Sequence, residues 1–271
     1  MSPVTFRNPF LRTSQTPAIV AVIPARYDSS RLPGKPLADI GGRPMIEHVY
    51  RRAAEAEGVD AVVVATDDQR IVDAVEAFGG IARMTRPTHR TGTDRIAEVA
   101  ADLSCDIVIN VQGDEPLIDP AMITAIVAPL RDDASIVMTT ARRRLTDPDD
   151  LRNQHVVKVV TDPRGDALYF SRAPIPCGAD AVLPGAGSSD PAAGAPAYVH
   201  VGLYAFRRDF LLRFAALPQT PLEVTESLEQ LRALEHGYRI RTVVTEHHSI
   251  GVDTPQDLER ARRLSAEEAR V

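Results

Sequence analysis

Cysteine is nearly missing from this chain. Cys105 and Cys177 are the only two, and neither stands in a pair with metal-ligand spacing. A cysteine-held metal is thereby excluded, which leaves two ordinary thiols in a reducing compartment. No apolar run approaches the roughly 20 residues that cross a bilayer, so no membrane partner is expected. The first 17 residues lack the apolar stretch of a secretory signal. They are read as a flexible tail, and the expected localisation is cytoplasmic. Positive charge is not in excess either: 31 Lys and Arg stand against 37 Asp and Glu, for a net charge of -6. That disfavours nucleic acid as a partner and leaves room for a local cation cluster facing a small anionic substrate. Internal repeats are absent. No G-x-G-x-x-G follows the first apolar run, which disfavours a dehydrogenase or flavodoxin-like module.

What is present is ordinary globular composition, 44% hydrophobic and 25% charged over 271 residues, long enough for one large α/β domain with a sub-domain inserted. Apolar runs at Ile19–Ala25, Ala61–Ala65, Ile81–Met84, Ile107–Val111 and Ile136–Thr140 read as strands. Between them, helical spacing predicts helices over Met45–Glu57, after Thr66-Asp67-Asp68, over Asp94–Leu103 and over Met122–Leu130. This alternation predicts a Rossmann-like, mostly parallel sheet with helices on both faces.

Past residue 145 the pattern changes to a small β-rich insertion. Val156–Val160 and Ala167–Phe170 predict a hairpin across Asp162-Pro163-Arg164-Gly165. Residues 178–197 read as a mobile loop, Val199–Phe206 as a strand, and Leu222–Glu235 as one helix with Val224, Leu228, Leu231 and Leu234 on its apolar side. A strand at Arg239–Val244 and a helix from Pro255 close the chain. The expected parts are a tail (1–17) and a single domain (18–271), the latter with a nucleotide part (18–145), a sugar-binding and dimerisation part (146–238) and a C-terminal part (239–271) that returns to the site.

Ligands of such sheets gather at the C-terminal strand ends. There the sequence places Arg26-Tyr-Asp-Ser-Ser-Arg31-Leu-Pro-Gly34-Lys35-Pro-Leu, whose three cations and one glycine suit a polyphosphate. It is not a Walker A loop, because Pro36 follows Lys35 and no glycine precedes Gly34 at the required spacing. A solvated basic loop has the same composition. Asn110-Val-Gln112-Gly113-Asp114-Glu115-Pro116 ends the fourth strand of the alternation with a carboxylate suited to Mg²⁺, or else forms a helix-capping turn. Gly251-Val-Asp253-Thr-Pro255 and His89-Arg-Thr91-Gly92-Thr-Asp-Arg95 both also read as caps of the helices that follow. His200 and Tyr204 lie four apart on one strand and face the same side.

The run R-Y-x-S-S-R-L-P-G-K-P-L after Ile-Pro-Ala, with Q-G-D-E-P and V-D-T-P, resembles the sugar nucleotidyltransferases. It is most similar to the 3-deoxy-manno-octulosonate cytidylyltransferase family. The similarity runs from Ile19 to the last helix. It implies the nucleotide-diphospho-sugar transferase fold, a homodimer, and transfer of CMP from CTP to an acidic eight-carbon sugar for lipopolysaccharide biosynthesis, with Mg²⁺ as cofactor. By the family pattern Arg26, Arg31 and Lys35 would contact the CTP phosphates, and Thr91, Gly92, Arg95 and Gln112 would help hold the nucleotide. Asp114 and Asp253 would hold the metal, and with Arg26 and Lys35 would form the catalytic set. Gln112, Arg172, His200, Tyr204, Glu229 and Gln230 would bind the sugar, Arg172 through its carboxylate. Thr91 departs from the family's Ser, and Gln256 from its Glu. A related acidic sugar, or a nucleotide-binding regulator without turnover, are the alternatives.

Overall fold

The computed structural model describes residues 9–10, 19–28, 31–177, 196–247 and 250–268. In chain order the elements are β1 (Ile19–Ala25), a 3₁₀ turn (Lys35–Leu37), β2 (Asp39–Ile40), β3 (Arg43–Pro44), α1 (Met45–Glu55), β4 (Ala61–Thr66), α2 (Gln69–Ala77) and β5 (Ala82–Met84). Then come α3 (Gly92–Asp102), β6 (Ile107–Asn110), α4 (Pro120–Asp132), β7 (Met138–Arg144), α5 (Pro148–Arg152), β8 (Lys158–Thr161) and β9 (Ala167–Ser171). The chain ends with β10 (Tyr198–Arg207), α6 (Arg208–Ala216), α7 (Pro221–Glu226), α8 (Leu231–Glu235), β11 (Arg241–Val244) and α9 (Pro255–Glu268). The short 3₁₀ turn, the β2–β3 hairpin, α5 and α6 are additions to the sequence reading.

Two compact units form. The first comprises Met1–Ala125, Ala205–Ala215 and His248–Val271; the second comprises Ile126–Tyr204 and Ala216–His247. The expected boundaries at 145 and 239 therefore fall inside the second unit, while residues from 248 onward do return to the first. Most of the segment read as a flexible tail lies outside the described residues. Pro9 and Phe10, which are described, are packed: Ser104 donates its N–H to the Pro9 carbonyl and the Arg83 guanidinium lies 3.9 Å over the Phe10 ring. The flexible-tail reading does not hold for those two. The loop read at 178–197 lies outside the described residues up to 195.

In the first unit, β1 pairs in parallel with β4 on one side and with β6 on the other, and β5 adds in parallel to β4. Strands covered on both faces read as unbroken apolar runs, and all six residues of β4 are buried. The helices contribute one apolar stripe each, Met45, Ile46, Val49, Tyr50 and Ala53 on α1 and Ile71, Val72 and Val75 on α2. The chain visits β4 and β5 before it returns to β6. The C-terminal ends of β1 and β6 thus flank a topological switch point, where doubly wound sheets bind ligands. A separate cluster of Ile40, Met45, Val252, Leu258 and Ala261 packs α9 onto β2 and the start of α1. That packing brings residue 253 back to the opening loop.

In the second unit, β7 pairs in parallel with β11 and neighbours β10. β8 and β9 form the expected antiparallel hairpin, in which Gly165 takes φ 86 in the turn, and β8 also pairs with the start of β10.

The helix expected over Leu222–Glu235 is two helices. α7 stops at Ser227, a non-glycine residue with φ 53. The cause lies elsewhere in the chain. Arg172 donates from Nε to the Glu226 carbonyl (2.8 Å) and from Nη2 to that of Ser227 (3.4 Å), engaging oxygens that would otherwise continue the helical ladder. The break also displaces the apolar stripe: Leu231 is fully buried but Val224 is 62% exposed. Val224→Ser is therefore expected to change unfolding free energy by less than about 0.5 kcal/mol. Leu231→Ala should cost about 2–5 kcal/mol. Equal costs in urea denaturation would mean that Val224 is buried as deeply as Leu231.

Candidate active site

A cleft of about 380 Å³ opens at the switch point of the first unit. Arg26, Arg31, Lys35, Gly92, Arg95, Gln112, Asp114 and Asp253 all line it, eight of the nine first-unit residues singled out from sequence. The ninth, Thr91, is N-cap of α3: its hydroxyl accepts from the Asp94 N–H at 3.1 Å, and the Asp94 carboxylate accepts from the Thr91 N–H in return. The cap reading of this segment is correct for Thr91.

The loop after β1 is held open by its own chemistry. Gly34 adopts φ 69 and donates its N–H to the Tyr27 carbonyl at 3.0 Å. A Cβ there would meet the Tyr27 hydroxyl oxygen at 3.1 Å, so a side chain would be both strained and crowded. The Arg70 guanidinium lies over the Tyr27 ring, 3.3 Å from its centroid. The 3₁₀ turn then begins on Lys35, with Leu37 N–H bonded to the Gly34 carbonyl at 2.8 Å.

Lys35 is the centre of the site. Its Nζ lies 2.8 Å from Asp114 Oδ2 and 3.1 Å from Asp253 Oδ1, while Arg31 Nη2 stands 3.3 Å from Asp253 Oδ2. Burial alone would lower the pKa of the ammonium. Attraction and hydrogen bonding to Asp114, then to Asp253, outweigh it and raise the pKa above the usual lysine value. Two carboxylates far apart in sequence thus converge on one cation. A backbone bond fixes their approach: the Val252 N–H donates to the Asp114 carbonyl at 2.8 Å. Gly113 is required for a second close approach, to the end of β1, since a Cβ on it would sit 2.7 Å from the Pro24 carbonyl oxygen.

These oxygen donors suit a hard divalent cation, which takes one or two carboxylates and completes its shell with water and substrate phosphate. No cluster of three or more His, Cys, Asp or Glu that could hold a metal occurs among the described residues. Asp114 and Asp253, drawn together on Lys35, are a pair that could serve such an ion, with water and a phosphate ligand completing its shell.

Arg26 is exposed and donates to the His89 carbonyl. The His89 ring is bonded in turn to Glu98, which also accepts from Arg86 Nε at 2.9 Å. Burial opposes the charge on Glu98, but Arg86 and His89 outweigh it and hold the carboxyl below its usual range. Arg95 borders the cleft with its guanidinium fully buried, bonded to Asp67 Oδ2 at 2.7 Å and to the Thr85 hydroxyl. Asp28, which also lines the cleft, and Asp67 and Glu98 were not legible from sequence. The last two are ordinary acidic residues until the fold sets each beside its partner.

In the second unit, the His200 Nε2 lies 2.9 Å from the Thr140 hydroxyl, and the ring packs edge-on against Phe170 and tilted against Tyr204 at centroid distances of 4.9 and 5.4 Å. This enclosure pushes the imidazole down to about 3, so it is neutral at physiological pH. The phenol of Tyr204 is pushed up by burial and, further, by the Glu229 carboxylate. Glu229 stands 3.7 Å from Arg232. Gln230 is 4% exposed, and its Nε2 has no hydrogen-bond partner among the described residues. Arg172, expected on a sugar carboxylate, donates from its guanidinium to the carbonyls of Gln154, Glu226 and Ser227. Glu226 was missed entirely: it accepts from the Ser171 hydroxyl at 2.6 Å and from the Arg172 N–H at 2.9 Å.

Comparison with known proteins agrees with this geometry. A cytidylyltransferase family model matches residues 20–240, and the chain belongs to that family. Its relatives place it more narrowly. The 3-deoxy-manno-octulosonate cytidylyltransferase of Geobacter metallireducens is 57% identical over 242 residues, 89% of this chain and 95% of that protein. The protein of the same name from Geobacter sulfurreducens is 55% identical over 89% of this chain and 97% of its own length. Among solved structures, a CMP:2-keto-3-deoxy-manno-octonic acid synthetase complexed with CTP superposes with a TM-score of 0.84 at 47% identity, covering 93% of this chain and 99% of that one. A cytidylyltransferase from Leptospira borgpetersenii, at 16% identity and a TM-score of 0.61, shares the fold. The resemblance and the fold class read from the motifs are both borne out. No helix among the described residues is long and apolar enough to cross a membrane.

Two outcomes follow from the geometry. Gly113→Ala is expected to lower stability by about 1–3 kcal/mol, because the Pro24 main chain must move. Gly251→Ala meets nothing within 4 Å and should cost far less by the same thermal denaturation. For His200, an unfolded chain protonates near pH 6.5 and the folded protein only near 3. The stability linked to this ring is fully present above pH 6.5 and is lost as pH falls towards 3. His200→Gln should flatten that part of the acid-unfolding curve, and an unchanged curve would mean that the ring titrates as if in water.

Proposed function

We propose that this protein transfers CMP from CTP to 3-deoxy-manno-octulosonate, giving the CMP-sugar and pyrophosphate. The observation that supports this most is the convergence of Asp114 and Asp253 on Lys35 Nζ at 2.8 and 3.1 Å. In this reading the carboxylate pair would take a divalent cation, and Arg26, Arg31 and Lys35, which line the same cleft, would take the phosphates. The names of the relatives supply the nucleotide and the sugar.

In this reading the anomeric 2-hydroxyl of the sugar gives up its proton to water and forms a bond to the α-phosphorus of CTP, and the bond from that phosphorus to the bridging oxygen of pyrophosphate breaks. Arg26, Arg31 and Lys35 bind the triphosphate and stabilise charge as it builds on the departing pyrophosphate. Asp114 and Asp253 would hold magnesium, which when bound lowers the pKa of the sugar hydroxyl and offsets phosphate charge. Gly92, Gln112 and Gly113 leave main chain and amide close to the nucleotide, and Arg95 braces that wall through Asp67. In the second unit, His200, Tyr204, Glu229 and Gln230 are assigned to the sugar. A neutral His200 offers a hydrogen bond there and no positive charge. Positioning supplies much of the remaining acceleration, and no covalent intermediate on the protein is invoked.

The direct test is pyrophosphate release from each of the four ribonucleoside triphosphates with a panel of acidic sugars. Magnesium-dependent release from CTP with 3-deoxy-manno-octulosonate alone is the expected result, and a preference for a sialic acid would overturn the sugar assignment. Asp114→Asn is expected to fold normally and to lose at least about a hundredfold in turnover, a loss of the size seen for a charge-stabilising group. Near-normal turnover at saturating magnesium would remove that residue from the metal site.

A further inference from the structure

We infer that Lys35 is a resident counter-ion that keeps divalent metal off the Asp114–Asp253 pair until the phosphates of a nucleotide draw its ammonium away, so that metal and nucleotide enter together. The inference rests on reading that pair as the metal site, and it adds an order of binding that the reading alone does not contain.

The ammonium lies within hydrogen-bond distance of both carboxylates, at 2.8 and 3.1 Å, and its side chain is less exposed (15%) than either Asp114 (33%) or Asp253 (49%). It therefore sits between the two carboxylates, on Asp114 Oδ2 and Asp253 Oδ1, the oxygens that a metal bridging them there would need. Arg31 adds a second positive charge 3.3 Å from Asp253. Without ligand, two carboxylates face two cations and the local charge is balanced. A divalent ion that arrives alone and bridges those two oxygens must displace the ammonium. That leaves a half-buried Lys35 without its partners and gives the cleft an excess of two positive charges. The same ion arriving with a triphosphate brings negative charge for Lys35, Arg31 and Arg26 to meet, so the excess does not arise.

The anchor of the side chain allows such an exchange. The main chain at Lys35 is pinned by the bond from the Ala38 N–H to its carbonyl at 3.1 Å and by the neighbouring Leu37–Gly34 bond at 2.8 Å. The flexible four-carbon stem can swing its head along the cleft while the turn stays in place. Magnesium sheds water reluctantly, so a carboxylate pair already neutralised by an ammonium competes poorly for it. Coupling between two ligands is reciprocal: if nucleotide is needed to free the metal site, metal must tighten nucleotide binding by the same factor.

Mn²⁺ binding to the full-length protein, followed by the signal of the free ion, tests this without any turnover. In the wild type without nucleotide, binding is expected to be weak. Lys35→Met, or Lys35→Gln should that variant misfold, is expected to bind Mn²⁺ at least about tenfold more tightly without nucleotide, within the usual range of allosteric couplings. Arg31→Met removes a charge that faces only one of the carboxylates and should tighten binding by less than about threefold. Thermal unfolding gives a second readout, since a ligand that binds the folded state raises its melting temperature. Mn²⁺ should stabilise the Lys35 variants and leave the nucleotide-free wild type nearly unmoved. Unchanged or weaker Mn²⁺ binding in both Lys35 variants, or equal tightening by Arg31→Met, would overturn the counter-ion role. A control separates this from failure of the underlying reading: if Asp114→Asn and Asp253→Asn leave Mn²⁺ binding in the presence of CTP unaltered, the carboxylate pair is not the metal site at all.

Discussion

A single main-chain bond, from the Val252 amide to the Asp114 carbonyl, determines whether this protein has a site. Residues 114 and 253 belong to turns that no local rule connects. One follows β6 because a parallel strand must end somewhere, and the other precedes α9 because Thr254 and Asp257 begin a helix there, with the Thr254 hydroxyl bonded to the Asp257 carboxylate at 2.7 Å. The apolar cluster of Ile40, Met45, Val252, Leu258 and Ala261 supplies the force that brings the second turn home. Burying such side chains contributes on the order of 1.5–3 kcal/mol each. The hydrogen bond then sets the register of the approach, and the two carboxylates follow as its immediate neighbours. Packing provides the energy and the amide provides the alignment.

How legible this was in the sequence depends on the range of the cause. β1 and β4 were readable because burial on both faces writes an unbroken apolar run into the chain. α3 was readable because its cap, Thr91 with Asp94, lies within four residues. The break at Ser227 was not. The stretch from Leu222 to Glu235 has good helical spacing, and what interrupts it is the guanidinium of a residue more than fifty positions earlier. In the cleft, Arg26, Lys35 and Asp114 announced themselves by charge at strand ends, whereas the parts played by Glu98, Asp67 and Tyr27 exist only as contacts. Thr91 stands in a ligand-like motif, and its hydroxyl also caps the helix beside it.

The second unit shows how the surroundings of a group change what it can do. His200 and Tyr204 were expected on one side of a strand, and their rings do pack together. Phe170 and Thr140 complete the enclosure, and the imidazole loses its proton because of it. A charged histidine would pair with a sugar carboxylate; a neutral one exchanges hydrogen bonds with hydroxyls. Nearby, Lys158 is fully buried and donates to the carbonyls of Asn153, Val156 and Arg172 at 2.9, 2.7 and 2.6 Å. Arg172 is thus gripped at its carbonyl by Lys158, at its amide by Glu226 and at its guanidinium by three further carbonyls. Such a residue is a brace whose position is fixed before any ligand arrives.

The ionic centre of the cleft is difficult to explain as a device for stability. Removing charges from water is costly, and a partly buried ion cluster seldom repays that cost by mutual attraction alone. Lys35 nonetheless lies between two carboxylates in a chain whose net charge is already -6. The Gly34 turn before it and the Val252 amide beside Asp114 fix the main chain around it. An arrangement that is balanced but costly is easily re-sorted when a new partner of the right charge arrives, because the attraction lost on leaving one set of oxygens is recovered on meeting another. A hydrophobic replacement would make the loop more stable and unable to exchange partners. The cluster is therefore best understood as a set of charges kept close to exchange, with the fold around it held rigid so that only the lysine stem needs to move.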